Sequence, residues 1–166
     1  MVHMWAGAPR RVEVRMIELV LERLRVPRRT WAIYLVVYIC AGLIMNSIGK
    51  VAQIAEFKHW WQVGTCYGLY LVPASIWIRQ KSFFDQYLFG LLVLALLELG
   101  GYAIGSSVAF DGNIIDAILG PRNFTLAMTV FFAVYLPLGN KAVEAVERTL
   151  FGVPLETTAS AQGITS

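Results

Sequence analysis

The stretch ALLELGGYAIG, residues 95–105, places one carboxylic acid and three glycines inside an otherwise apolar run. The run covers about residues 84–110, which is more than the roughly 20 residues that an α-helix needs to cross the hydrocarbon core. Within it Glu98 would lie deep in the bilayer, where a charge costs about 2.5–3.5 kcal/mol on insertion scales. Gly101 and Gly105, four residues apart, form a small face on which another helix can pack. The stretch therefore predicts a membrane-spanning helix that turns its polar face toward protein.

Three further apolar segments predict spans of similar length, at about residues 31–51, 60–78 and 123–139. Hydrophobic residues make up 57% of the 166-residue chain and charged residues only 15%. Soluble domains carry about 25% charged residues. We therefore expect an all-α integral membrane protein, with a four-transmembrane-helix bundle and a short cytoplasmic extension in residues 31–150.

The basic residues are distributed unevenly about these spans. With a cytoplasmic N-terminus, eleven of the fourteen lysines and arginines lie inside, and Lys50, Lys58 and Arg122 lie outside. Cytoplasmic loops carry such an excess, so both termini are predicted to be cytoplasmic. The short loops and this asymmetry favour the plasma (inner) membrane of a bacterium. The same distribution assigns the positive charge to the membrane surface rather than to nucleic acid.

The two ends of the chain differ from the apolar middle. Residues 10–26 have helical periodicity, with an apolar arc opposite arginines and glutamates, and Pro27 follows. This pattern is typical of an amphipathic helix that lies on the membrane surface. Residues 1–9 are expected to be a flexible N-terminus, and residues 151–166, small and polar, a disordered tail.

Polar side chains of the four spans are predicted to meet at one depth. With a rise of about 1.5 Å per residue, Asn46 lies about 22 Å and Glu98 about 21 Å from the inner boundary. Lys50, one turn nearer the outer surface, is within reach of Glu98. The candidate ligand- or ion-binding residues are Glu98, Asn46, Thr65, Tyr102, Lys50 and Thr129. An intramembrane acid is a functional hypothesis by default; a structural hydrogen bond between helices is the alternative.

Small residues on the predicted spans mark faces where helix backbones approach each other. The candidate packing residues are Gly42, Gly49, Gly64, Gly68, Gly101 and Gly105. The helices that meet these faces belong either to the same chain or to another copy of it. Pro73 and Pro137 lie within the second and fourth spans and predict bends there.

No sequence motif predicts enzyme chemistry. The histidines, His3 and His59, and the cysteines, Cys40 and Cys66, lack the spacing of a metal site. The chain also lacks the GxSxG, P-loop and GxGxxG patterns. We therefore expect no catalytic residue, no metal and no cofactor.

Three functional hypotheses follow. The first is a non-enzymatic bundle that binds or translocates a small solute, an ion or proton, or a lipid through Glu98; such a small chain would need a homo-oligomer to enclose a path. The second is an accessory or scaffold subunit of a larger membrane complex. The third is a small enzyme acting on a lipid or quinone at the outer leaflet, with Glu98 as acid or base.

Overall fold

The computed structural model of the protein describes residues 18, 20–106 and 108–152. Within these ranges the chain is helical and contains no β-strand. The predicted flexible N-terminus, most of the predicted amphipathic helix and the predicted tail after residue 152 lie outside the described residues. Of the amphipathic segment, the described residues 20–23 are helical.

Six helical elements follow Pro27. They are α1 (Arg28–Val51), α2 (residues 60–78), α3 (Phe83–Ala103), α4 (Ile114–Leu119), α5 (Pro121–Phe132) and α6 (Tyr135–Phe151). Three segments are long and apolar enough to cross a membrane, namely Arg28–Val51, Phe83–Ala103 and Asn123–Phe151. The expectation of an all-helical chain is confirmed for the described residues, and three candidate spans, where the sequence predicted four, indicate a membrane protein.

The remaining predicted span, α2, is helical from end to end but changes its geometry twice. An α-helical turn, Trp60–Val63, leads into a π-helix, Gly64–Leu71, and the chain returns to an α-helix at Val72–Ile78. At the second change the Val72 N–H bonds to the carbonyl of Tyr67, five residues earlier. Pro73 follows directly, and its ring nitrogen has no hydrogen with which to continue the α-helical pattern. The interruption leaves α2 without one long α-helix.

Pro137 has a comparable effect near the end of the chain. Its nitrogen cannot donate to the carbonyl of Ala133, four residues earlier, and the helix is broken at Ala133 and Val134 between α5 and α6. Gly90 on α3 packs against the backbone at this break, where a Cβ would lie 2.5 Å from the Ala133 oxygen. The bend predicted at Pro137 is therefore a break in the helix, and α3 packs against this break through Gly90.

The third helix ends earlier than the apolar run suggested. It ends at Ala103 rather than near Phe110, and Gly105 follows with a φ of +69°. A positive φ is easily adopted by glycine and stops a helix. The chain then runs alongside the loop after α1, and an isolated β-bridge pairs Ala55 with Ala109. Apolar composition alone did not reveal this loop.

The long elements pack with alternating directions. The Arg29 guanidinium lies 5.1 Å from the centre of the Phe151 ring, and the Lys141 amine lies 5.0 Å from that of Phe83. The starts of α1 and α3 therefore lie beside residues 141–151 of α6, and we call this the basic end. The opposite end, with the loops of residues 52–59 and 104–113, is the loop end. Between the two ends α2 packs against α1, α3 and α6.

A buried network of polar side chains joins four elements near the basic end. Asn140 of α6 accepts hydrogen bonds from Tyr34 of α1 at 2.6 Å and from Ser75 of α2 at 2.8 Å. Its amide nitrogen donates to Gln86 of α3 at 2.8 Å and to the Ser75 carbonyl at 3.3 Å. Tyr38 adds a contact of 2.5 Å to the Ser75 hydroxyl. All these side chains are buried.

Gln86 connects this network to the end of α2. Its amide nitrogen donates to the carbonyls of Arg79 at 3.3 Å and Lys81 at 2.8 Å, which lie just after the last turn of that helix. Helix carboxyl ends leave carbonyls without an intrahelical partner, so a side chain from another helix satisfies them here. Asn140 and Gln86 thus hold α1, α2, α3 and α6 in one relative depth and rotation.

The predicted packing glycines divide into two groups. A Cβ at Gly42 would lie 2.6–2.9 Å from ring carbons of Tyr67, and one at Gly68 would meet α1 side chains at 3.6–3.7 Å. Gly49 packs against the carbonyl of Ala55 in the following loop. Among the described residues, nothing lies within 4 Å of a Cβ at Gly64 or Gly105, and only the Ser106 hydroxyl does so at Gly101. Gly139, absent from the predicted set, packs directly against the Tyr38 hydroxyl.

Replacing Asn140 by Leu should destabilise the fold by roughly 2–4 kcal/mol, since each buried polar partner left unsatisfied costs about 1–3 kcal/mol. The change in the free energy of unfolding is measured by titrating the purified protein with SDS while tryptophan fluorescence is recorded. Asn123→Leu is the matched control, because Asn123 is exposed and bonds only to a carbonyl of its own helical region. Equal midpoints for the two variants would contradict the structural role of the network.

Alanine at Gly42 should lower the free energy of unfolding by about 1–3 kcal/mol, the usual cost of overpacking, because the buried Tyr67 ring occupies the space. The same substitution at Gly64 should be neutral or stabilising, since the space is open and alanine favours the helix. The same SDS titration compares the two. A Gly64→Ala variant that is weakened as much as Gly42→Ala would indicate a packing partner at Gly64.

Candidate functional site

A cavity of about 300 Å³ lies inside the protein toward the loop end. Its walls come from the last turns of α1 and α3, the π-helical part of α2, α5 and the first residue of α6, and the two loops cover it. Ligand pockets in proteins have volumes of about 300–1,000 Å³ and are mostly apolar with a few polar groups. The side chains with polar atoms in this lining are Asn46, Glu56, Cys66, Tyr67, Glu98 and Tyr135.

Glu98 lines the cavity because of its position on α3. It follows Leu94 by four residues, so both lie on one face of the helix, and Leu94, Leu97 and Glu98 all contribute to the wall. The side chain is half-buried. Among the described residues no hydrogen bond or ion pair to its carboxyl group is found, as the two ion pairs involve other acids. Glu98 therefore presents its carboxyl group to the cavity without a protein partner.

Lys50, the partner suggested by the sequence, is engaged elsewhere. Its amine lies 2.6 Å from the carboxylate of Glu56, and both side chains reach solvent. The loop after α1 folds back over the end of that helix, which brings Glu56 closer to Lys50 than Glu98 is. The structure therefore replaces the expected Lys50–Glu98 contact with an exposed ion pair at the cover of the cavity.

Asn46, also predicted, lines the same cavity as Glu98. Its carbonyl oxygen accepts a hydrogen bond of 2.7 Å from the backbone N–H of Phe57. This bond fixes the loop of residues 52–59 across the end of the cavity. The amide nitrogen of Asn46 has no protein partner among the described residues and remains a donor for the cavity.

The other three predicted residues do not line the cavity. Thr65 and Tyr102 are exposed, Tyr102 by 54%, and the buried Thr129 hydroxyl bonds to the carbonyl of Thr125 at 2.9 Å. Thr65 was predicted from its depth alone, which does not determine the face of the helix on which it lies, and its neighbours Cys66 and Tyr67 line the cavity instead. Tyr102 lies in the last turn of α3, beyond the enclosed part.

An aromatic cluster that the sequence did not reveal packs along one side of the cavity. The Tyr67 ring meets Tyr135 edge-on, with centroids 6.1 Å apart, and Phe57 similarly at 6.3 Å. Phe132 lies 5.3 Å from Tyr135. These rings come from a loop, a π-helix and the two sides of a helix break, so they share no period along the chain. No periodicity signal could have grouped them.

The chemical capacity of the site follows from these groups. The Glu98 carboxyl group and the Asn46 amide nitrogen, which have no partner among the described residues, offer hydrogen bonds to a polar atom, while aromatic and aliphatic side chains offer apolar contact. Among the described residues, no three histidine, cysteine, aspartate or glutamate side chains come close enough to hold a metal ion. The arrangement suits a molecule with one hydrogen-bonding head and an apolar body.

In comparisons with protein families, curated proteins and solved structures the chain has no match, so its function is inferred from the chemistry of the site.

Proposed function

We propose that this protein is a four-span membrane protein that binds a small amphiphile in the cavity beside Glu98. The observation that carries the proposal is a carboxyl group without a protein partner in a mostly apolar cavity of about 300 Å³. Glu98 and the Asn46 amide would hydrogen-bond the head of the amphiphile. The cluster of Phe57, Tyr67, Phe132 and Tyr135 would pack against its apolar body.

An amphiphile suits this lining better than an ion or a polar solute. A hard cation such as Ca²⁺ takes six to eight oxygen ligands, and this wall offers few. A polar solute would leave most of its hydrogen-bonding groups facing aliphatic and aromatic carbon, which costs free energy for each unpaired group. Among the ligands considered from the sequence, a lipid-like molecule is therefore favoured.

Four spans with both termini in the cytoplasm are part of the proposal. The 19 residues of α2 would extend at most about 28 Å at the α-helical rise of 1.5 Å per residue, slightly less than the thickness of about 30 Å of a bilayer core. Arg29, Lys141 and Arg148 gather at the basic end, whereas Trp60 and Trp61 are exposed at the other end. Basic residues mark the cytoplasmic face and tryptophans the interfaces. A bacterial inner membrane fits this distribution.

An accessory role in a larger membrane complex, or a homo-oligomer, is the second candidate. The open space beside Gly64 and Gly100, where no described atom lies within 4 Å of a Cβ, supports it. Small open faces let a helix of another chain approach closely. Stable partners in mild detergent would support this role, whereas a monodisperse monomer would argue against it.

Glu98→Leu should reduce binding of an alcohol probe by about 10- to 100-fold, since a hydroxyl left without its partner in an apolar site costs about 1–3 kcal/mol. Glu98→Gln should have an intermediate effect. The measurement is photolabelling in nanodiscs with a diazirine derivative of octanol, read at Met128 and Tyr135 so that loss of the carboxyl itself does not alter the signal. Glu144→Gln, in an exposed pair with Arg148, is the matched control. Wild-type labelling in both Glu98 variants would overturn the proposal.

The head group of the amphiphile should determine competition. Unlabelled octanol should displace the probe, whereas octanoate should compete at least 10-fold more weakly, because a carboxylate loses far more hydration than a hydroxyl on entering a mostly apolar cavity. Labelling at Met128 and Tyr135 is followed as each competitor is added at the same membrane concentration. Equal competition by octanoate would contradict binding of the head group inside this cavity.

A further inference from the structure

We infer that the cavity opens sideways, between α1 and α5, and that its amphiphile enters from the bilayer rather than from water. The inference rests on the proposed function, because it assigns an entry route to the same cavity. It also restricts the ligand class to molecules that dissolve in the membrane. The experiment below separates a failure of the route from a failure of the site.

The exposure of the lining residues locates the mouth. Two of them are exposed, Ile48 on α1 by 52% and Phe131 on α5 by 53%, whereas the others are buried or half-buried. Both side chains are apolar, and both lie on candidate membrane-spanning segments. A side chain that lines a cavity and also reaches the outside lies at an opening. The opening therefore faces the hydrocarbon region.

The packing of the helices leaves this gap. α1 packs against α2 and α6, and α5 packs against α3 and α4. The break at Ala133 and Val134 separates α5 from the line of α6, so α5 does not continue along α1 as α6 does. Toward the loop end α1 and α5 are therefore neighbours across the cavity without a shared packed interface.

A methionine lies behind each mouth residue. Met45 precedes Ile48 by three residues on α1, and Met128 precedes Phe131 by three residues on α5. Each pair lies on one helix face, and both methionines line the cavity. Methionine side chains are unbranched and adapt to irregular shapes, which suits an opening through which molecules of varying shape pass.

The loop end of the cavity is covered by backbone pairing. The Glu56 N–H donates to the Val108 carbonyl at 2.9 Å, and the Phe110 N–H donates to the Ile54 carbonyl at 3.0 Å. The Asn46 bond to Phe57 attaches this cover to α1. Entry from water requires that these bonds break, whereas entry between α1 and α5 requires only movement of side chains. The lateral route therefore has the lower barrier.

The test attaches a bulky group at the mouth after the protein has folded. Ile48→Cys is made with Cys40→Ser and Cys66→Ala, and is modified with a membrane-soluble maleimide of a large ring system. Leu43→Cys in the same background is the matched control, because Leu43 is 50% exposed on α1 and does not line the cavity. Filling of the cavity is followed by flash photolabelling with the diazirine octanol at increasing delays, read at Tyr135.

Modification at position 48 should slow filling by at least 10-fold and leave the final level of labelling unchanged, whereas modification at position 43 should alter neither. Unchanged filling after modification at position 48 overturns the lateral route. A lower final level with an unchanged rate also overturns it, since the attached group would then only occupy the cavity. Absence of saturable labelling in the unmodified protein is a different result, which overturns the proposed function itself.

Discussion

The side chain of Asn140 sets the arrangement of the helices at the basic end. Asn140 is only 8% exposed, so water cannot satisfy its amide and its hydrogen-bonding groups must find partners within the protein. Tyr34, Ser75 and Gln86 supply them from three other elements. Each bond is directional, so the set fixes how far each helix is rotated and how deep it lies. Apolar contacts alone do not fix the rotation and depth of a helix, because an apolar side chain is about as stable against a lipid tail as against leucine.

The loop end of the molecule is organised differently. Glycines and helix interruptions take the place of a polar network there: Gly42 admits the Tyr67 ring beside α1, and the π-helix turns Cys66 and Tyr67 toward the interior. The break before Pro137 separates α5 from α6. A cavity lies between these elements, and the bonds at this end join the two covering loops to each other and one of them to α1. The helices are thus joined by side-chain bonds at the basic end, whereas at the loop end they enclose a cavity that the loops cover.

Length and hydropathy predicted the apolar helices well, since a bilayer requires a minimum length of apolar chain. The depth estimate also brought Asn46 and Glu98 to one cavity. The loops, the helix ends and the contacts between elements could not be predicted from the periodicity of the sequence. A folded-back loop pairs Lys50 with Glu56, Gly105 follows the early end of α3, and Thr65 lies on an exposed face that its depth did not reveal. The Asn140 network also escaped prediction, because its members are scattered over four elements without a common spacing.

Two polar residues of this chain, both within candidate membrane-spanning segments, allow a structural role to be distinguished from a ligand-binding one. A residue retained to hold helices together has its hydrogen-bonding groups satisfied by neighbouring helices, as Asn140 has. Glu98 is half-buried on the wall of the cavity, and no described residue bonds to its carboxyl group. A carboxyl group inside an apolar segment is costly to insert into a membrane. Because no described residue offsets this cost, and because the group lies beside a cavity that we infer to open toward lipid, we expect its partner to be a ligand. That contrast is why Glu98, rather than the better-connected Asn140, is the residue to which a ligand is assigned.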